Sequence, residues 1–171
     1  MILRPAAPAD IPALAQLGIA SFVAKFGQLY QPQDLASFLD AAFAPVAITA
    51  ELTDPQRLYC LAEAQGQLAG YCKLGLTCGF PEHARGKRAI ELKQLYTDPT
   101  LTGKGIGAKL MDWALTEARN GGADEIQLSV WSGNDGAQRF YARYGFVHVA
   151  DVTFRVGSQL DDEFLLSLKL D

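Results

Sequence analysis

The residues whose spacing most directly implies chemistry run Thr102-Gly103-Lys104-Gly105-Ile106-Gly107-Ala108. Asp98-Pro99 breaks the strand-like stretch before them, because proline fixes φ and removes a donor. Ile106, Leu110 and Ala114 then recur at helical spacing. Three glycines at alternate positions clear side chains from one side of the loop. Its backbone N–H groups can therefore approach an anion closely, at the positive end of a helix dipole. A phosphate is the natural occupant. Other reactive side chains are sparse. Cys60, Cys72 and Cys78 lack C-x-x-C spacing, so neither a disulfide framework nor a zinc site is indicated and no metal is expected. His83 and His148 are the only histidines. His83 lies in a loop that could overhang an acceptor site, although solvent exposure is the commoner outcome there. His148 reads as a structural strand residue.

The phosphate compound is narrowed by what the loop lacks. A P-loop requires Gly-Lys followed by Ser or Thr, whose hydroxyl holds magnesium. Here Gly103-Lys104 is followed by Gly105, which excludes it. Gly103, Gly105 and Ala108 satisfy the dinucleotide pattern G-x-G-x-x-G/A, but that reading also needs an acid at the end of the next strand to hold a ribose. Asp124 and Glu125 stand at the beginning of that strand, and the loop lies mid-chain.

The elements that must position this loop follow from periodicity and breakers. Met1–Arg4 reads as a first strand. Asp10 caps a helix with Ile11, Leu14, Leu17 and Ile19 on an apolar pattern, continuing to about Phe26. Phe22, Phe26 and Tyr30 cluster near its Gly27 stop. A second helical region starts near Pro32 and carries Leu35, Phe38, Leu39 and Phe43; Pro45 interrupts it, and a short further turn precedes Pro55. Each aromatic taken singly reads as core, while together some are placed to line a cleft. The period then changes to that of strands. Leu58–Ala64 and Leu68–Leu76 flank Gln65-Gly66-Gln67, a loop spans Cys78–Gly86, and Ala89–Thr97 leads into the glycine loop. The glycine-loop helix ends near Asn120 at Gly121-Gly122. Glu125–Val130 alternates, Asn134–Tyr144 is a short helix, and Phe146–Val152 and Phe164–Leu170 are the last strands. The expected fold is one α/β (α+β) domain over residues 1–171. Its mixed, mostly antiparallel central sheet has about six or seven strands flanked by helices.

Composition sets further bounds. A hydrophobic fraction of 49% and a charged fraction of 20% belong to a globular chain of single-domain size. No apolar run approaches the ~20 residues that span a bilayer. Met1-Ile2-Leu3-Arg4-Pro5 lacks the basic-then-apolar pattern of a signal peptide, so a cytoplasmic protein with no membrane partner is expected. The net charge of −4 argues against nucleic acid and suits a cationic substrate.

A second element, Asn134-x-x-Ala137-x-x-Phe140-Tyr141-x-x-x-Gly145-Phe146, follows the glycine loop after one helix and one strand. The pair, in this order, resembles the GNAT N-acetyltransferase superfamily, whose loop reads Gln/Arg-x-x-Gly-x-Gly/Ala. Gly105 and Gly107 match, and Thr102 replaces the leading Gln/Arg. The resemblance covers essentially the whole chain and implies acetyl-coenzyme A as cosubstrate. It implies a pyrophosphate held over Thr102, Gly103, Lys104, Gly105, Ile106, Gly107 and Ala108 by main-chain N–H groups. A pantetheine arm would add to the edge of Leu95-Tyr96-Thr97, between two strands that splay apart. Asn134 would touch that arm and also cap its helix. Losing Gln/Arg at Thr102 should weaken a contact without abolishing binding.

Acetyl transfer to an amine has three needs. The amine must be neutral, although an alkyl ammonium titrates near ~10. The oxyanion must meet donors. The leaving thiolate, near ~8.5 for a simple thiol, benefits from a proton. The resemblance assigns Tyr141 as the acid at sulfur. Glu91 is the candidate base, since strand alternation puts it on one face with Lys93, Leu95 and Thr97; the competing reading is a surface carboxylate paired with Lys93. A backbone N–H near Leu95 would meet the oxyanion. Finer features are similar to bacterial spermidine/spermine N-acetyltransferases: Ile90-Glu91-Leu92, Val130-Trp131, Phe22 and Phe26, and the polar turn before Leu165. The expected partner is therefore a small-molecule amine, a polyamine in the sharpest form, met by Glu91, Asp40, Glu82, Asp151 and Trp131. A protein amine as acceptor, a non-catalytic coenzyme A sensor, a nicotinamide-binding protein and a homodimer all stay open at this level.

Overall fold

A computed structural model describes residues 1–171. The chain forms β1 (Ile2–Pro5), α1 (Ile11–Phe26), α2 (Pro32–Phe43), α3 (Pro45–Thr53), β2 (Arg57–Ala64) and β3 (Gln67–Gly75). It continues with β4 (Ala89–Thr97), α4 (Ile106–Asn120), β5 (Glu125–Trp131), α5 (Asp135–Arg143), β6 (Val147–Val156) and β7 (Gln159–Lys169). Seven strands make one sheet in the order β1-β2-β3-β4-β5-β7-β6. Every neighbouring pair is antiparallel except β4–β5, which is parallel. A parallel pair needs a crossover, and α4 supplies it.

Each face of the sheet is covered. On one, Leu110, Met111 and Ala114 of α4 meet Cys60, Cys72, Leu74, Leu92, Ile126 and Leu128, all nearly or wholly buried. Truncating one of these leucines to alanine is expected to cost about 2–5 kcal/mol. On the other face, Leu14, Leu17 and Ile48 of α1 and α3 meet Leu61 and Tyr71. Gly18 lets α1 approach closely, since a Cβ there would sit 2.4 Å from the Phe43 ring. A third cluster of Phe22, Tyr30, Phe43 and Val156 binds α1 and α2 to the far end of β6.

Two features depart from the sequence reading. Pro8–Leu29 and Pro32–Thr53 are helical stretches long and apolar enough to cross a membrane by length and composition alone. Pro45 splits the second into α2 and α3, and Leu14, Leu17, Phe22, Phe43 and Ile48 turn these helices toward the sheet and the β6 end. The β6–β7 hairpin is also much longer than read: β6 runs on to Val156 and β7 begins at Gln159. The polar residues Thr153–Glu163 are thus largely strand, paired across the hairpin.

Candidate active site

The parallel pairing of β4 and β5 lasts only from Ala89/Glu125 to Glu91/Gln127. Beyond that the strands separate, and the edge of β4 from Leu92 to Thr97 pairs with no strand on the β5 side. The gap is the start of a cavity of about 520 Å³. Such a volume is ordinary for a small-molecule site.

At one end of this cleft stands the glycine loop. Gly103 and Gly105 have φ of +80° and +76°, the left-handed region where side chains with a Cβ are strained. A Cβ at either would meet nothing within 4 Å, so this face of the loop is bare. Gly105 is the N-cap of α4 and offers no side-chain acceptor. The N–H groups of residues 103–108 have no backbone or side-chain partner, the first such bond in α4 being Lys109 N to Gly105 O. Consecutive free donors at a helix N-terminus are what a phosphate group requires. Thr102 lines the cavity beside the loop, and its hydroxyl donates to the Pro99 carbonyl at 2.8 Å. Lys104 is exposed and makes no ion pair.

Leu95, Tyr96 and Thr97 line the cleft from β4, Asn134 lines it from the turn before α5, and Ala137 and Tyr141 line it from the first and last turns of α5. Asn134 is buried, and its Oδ1 accepts from Ala137 N at 3.2 Å, so it caps α5 from the cavity wall. Tyr141 packs against Phe140 and Phe146, with ring centroids 5.4 and 5.8 Å away. Burial pushes its phenol well above the usual tyrosine range, with Cys72 and Tyr96 adding to the shift. It therefore carries its proton at neutral pH, as a proton donor must.

Glu91 does not share the face expected of it. β4 pairs Leu92 with Leu74 and Gln94 with Lys73, which leaves Lys93 as the extra residue of a β-bulge. A bulge shifts the alternation by one residue, so Leu95 and Thr97 face α4 with Leu92, while Glu91 lies on the opposite face with Gln94 and Tyr96. Glu91 is nearly buried, with Oε2 2.9 Å from Lys93 Nζ, and is off the cavity wall.

The far end of the cavity is built from side chains of five segments. Phe22 and Phe26 come from α1, Tyr30 from the turn after it, Phe38 from α2, Trp131 from β5 and Phe154 from β6. Phe22 lies 4.7 Å from Phe38, and Phe26 meets Trp131 edge-on at 6.1 Å. Two carboxylates stand among these rings, Asp161 and Glu163 of β7. The Tyr30 hydroxyl donates to Asp161 Oδ2, and Gln159 Nε2 donates to Oδ1 at 2.7 Å. Glu163 sits opposite Trp131 in the β5–β7 register and has no ion-pair partner. Burial raises its carboxyl, a nearby Ser129 hydroxyl partly offsets this, and the charge of Asp161 adds to the rise. The hairpin tip is fastened over this end, Ser158 N and Oγ donating to Asp34 Oδ2 at 3.2 and 3.0 Å.

Of the residues named for a polyamine, Trp131 reaches the cavity. Asp40, Glu82 and Asp151 are exposed elsewhere, and Asp151 pairs with His148 at 2.9 Å. The loop around His83 does not overhang the site. Glu125 accepts from Arg85 N and Gly86 N at 2.6 Å, and Asp124 accepts from Lys87 N and Arg88 N at 2.8 Å, holding the loop at the opposite end of β5. Asp161 and Glu163 escaped the sequence reading because they fall in the stretch taken for a polar turn. No alternation marks them, because Leu160, Asp162, Phe164 and Asp161, Glu163, Leu165 each mix acidic and apolar residues on one face.

The acetyltransferase (GNAT) family model matches residues 23–146. An uncharacterized N-acetyltransferase of Mycobacterium tuberculosis is 33% identical over 162 residues, covering 94% of this chain and 98% of the relative. The chain therefore belongs to the GNAT acetyltransferase family, and it is an N-acetyltransferase. Its fold is shared with the PaiA N-acetyltransferase of Thermoplasma acidophilum, solved with coenzyme A. The two superpose with a TM-score of 0.80 at 22% identity, over 99% of this chain and 98% of the other. It is shared also with YncA, a putative acetyltransferase of Salmonella typhimurium solved with acetyl-CoA, with a TM-score of 0.69 at 20% identity over 100% and 94% of the two chains.

Proposed function

We propose that this protein transfers an acetyl group from acetyl-coenzyme A to the primary amine of a small molecule, by direct attack of the amine on the thioester. One observation carries the reading: a single cavity joins the splayed edge of β4, beside the glycine loop, to an aromatic chamber containing two carboxylates. Donor and acceptor would meet in it without a covalent enzyme intermediate. The free N–H groups of residues 103–108 fit the pyrophosphate, and the open edge of Leu95-Tyr96-Thr97 fits the amide groups of the pantetheine arm. The coenzyme A-bound neighbours support the same donor.

In this reading Tyr141 holds a proton for the leaving sulfur, Asn134 contacts the arm, and a β4 N–H near Leu95 meets the oxyanion. A spermidine-like polyamine is the first acceptor to test. The paired carboxylates would receive one ammonium of the acceptor and the rings its adjoining apolar chain, with Lys25 on the same wall. The fastened hairpin favours a small acceptor over a protein amine. The three free cysteines suit action in the cytoplasm. The test is free-thiol release from acetyl-coenzyme A across polyamines, aryl and alkyl monoamines, amino acids and peptides. Tight coenzyme A binding with no turnover on any of them would sink this reading and favour a sensor.

A further inference from the structure

An amine acetyltransferase needs a group that receives the acceptor ammonium and removes its proton. Three carboxylates lie near the splay, and two of them are committed. Glu91 is tied to Lys93 at 2.9 Å and lies off the cavity wall. Asp161 has the Tyr30 hydroxyl on one oxygen and the Gln159 amide on the other, at 2.7 Å. Glu163 is two residues further along β7, so it shares the face of Asp161, and no cationic side chain pairs with it. It lines the cavity opposite Trp131, where β5 has diverged from β4. We propose that Glu163 is the catalytic base: it binds the ammonium of a small amine carried on an apolar body and takes its proton. The proposal rests on the acetyl-transfer reading given above.

The surroundings of Glu163 are suited to that exchange. Asp161 flanks it on β7, Ser129 on β5, Tyr96 on β4, Tyr30 after α1, and Lys25 is the cation on the α1 wall. Both tyrosines are pushed up by burial and stay neutral. Asp161 adds a second carboxylate toward a cation, and the rings of Phe22, Phe26 and Trp131 offer faces and edges for its body. A desolvated carboxyl whose affinity for protons is raised is a better base near neutral pH than an exposed one.

The proton balance closes. The ammonium gives one proton to the Glu163 carboxylate, and the freed nitrogen lone pair forms the N–C bond at the thioester carbonyl. The C–S bond breaks, its electron pair going to sulfur, which takes the Tyr141 proton. The nitrogen's second proton restores Tyr141, and Glu163 returns its proton to solvent. The products are the acetamide, the free thiol and one released proton.

The experiment compares the wild type with Glu163→Gln, Glu163→Asp and Glu91→Gln, following thiol release with the best amine of the panel across pH. Coenzyme A affinity is measured alongside by calorimetry. Glu163→Gln is expected to lower kcat/KM about 100-fold or more at neutral pH and to abolish the acidic limb of the profile, with Glu163→Asp recovering part. Coenzyme A affinity should stay within about twofold. Folding is checked independently. The folded-state proton affinity of Glu163 is raised, so the stability it contributes is present at low pH and is lost as pH rises through its folded value. Glu163→Gln should therefore melt no lower than the wild type at neutral pH. A Glu163→Gln enzyme with wild-type rate and limb overturns the proposal, as does a limb that disappears only in Glu91→Gln. A wild type that releases no thiol with any amine overturns the acetyl-transfer reading itself, a distinct outcome.

Discussion

The two ends of the cavity are made in different ways. The proposed donor end is backbone: the N–H groups of residues 103–108 and the open edge of Leu92–Thr97. Its local sequence has only to keep side chains out, which glycine does at Gly103 and Gly105 with φ near +80°. The proposed acceptor end is side chains: Phe22, Tyr30, Phe38, Trp131, Phe154, Asp161 and Glu163, drawn from segments more than a hundred residues apart in sequence. A main-chain grip accepts one constant cosubstrate and tolerates substitution. A side-chain chamber can change its ligand by changing single residues. Constancy at one end and adjustability at the other are built into the same sheet.

This contrast can be broken by experiment. The largest effect is expected where the two ends meet. Tyr141→Phe removes the proton intended for sulfur, so kcat should fall by about 100-fold while coenzyme A affinity holds. A matching loss of affinity, read by calorimetry, would return Tyr141 to a packing role. Next, Gly105→Val puts a β-branched residue into the left-handed region, costing about 1–2 kcal/mol, and projects it over the free donors. Coenzyme A should bind about tenfold more weakly or worse. Unchanged affinity would count against a main-chain grip. At the other end, Tyr30→Phe leaves one Asp161 oxygen without its donor, and roughly 1.5 kcal/mol of stability should go with it. The acceptor KM should rise while the donor KM does not, and a rise in both would mean that the ends are not separable. The smallest effect is expected from Thr102→Gln, which restores the family's side chain in a grip made of N–H groups. An improvement of more than about threefold in coenzyme A affinity would show that side chains matter there after all.

The same contrast explains which parts were legible. The glycine spacing, the Asn134–Phe146 element and the order of helices and strands are local patterns, and the structure repeats that order with its largest change in the longer β6–β7 hairpin. The seventh strand and the mixed sheet follow from the same periodicities. Glu91 was misplaced on its face for a different reason. Alternation is a local rule, but the bulge at Lys93 is an arrangement between β3 and β4, and nothing in Ala89–Thr97 alone announces it. Of the two places open to the loop around His83, sequence could not exclude the acceptor site, because the loop's anchors, Asp124 and Glu125, come from another strand. Glu125 shows how strong that anchor is. Burial would raise its carboxyl, but the Ser167 hydroxyl and the N–H groups of Gly86 and Arg85 overcome this and hold it below the usual range.

By itself, then, the sequence determined a bare-sided glycine loop with free donors, since conformation at a glycine and donors at a helix start are properties of a few consecutive residues. The acid role proposed for Tyr141 rests on the resemblance and on its place in the cavity wall. The tertiary structure decided the acceptor chamber. Phe22 meets Phe38 and Tyr30 meets Asp161 because α1, α2 and a long β6–β7 hairpin converge on the gap left where β4 and β5 part. That convergence is a balance of packing among distant segments, and no window of the chain contains it.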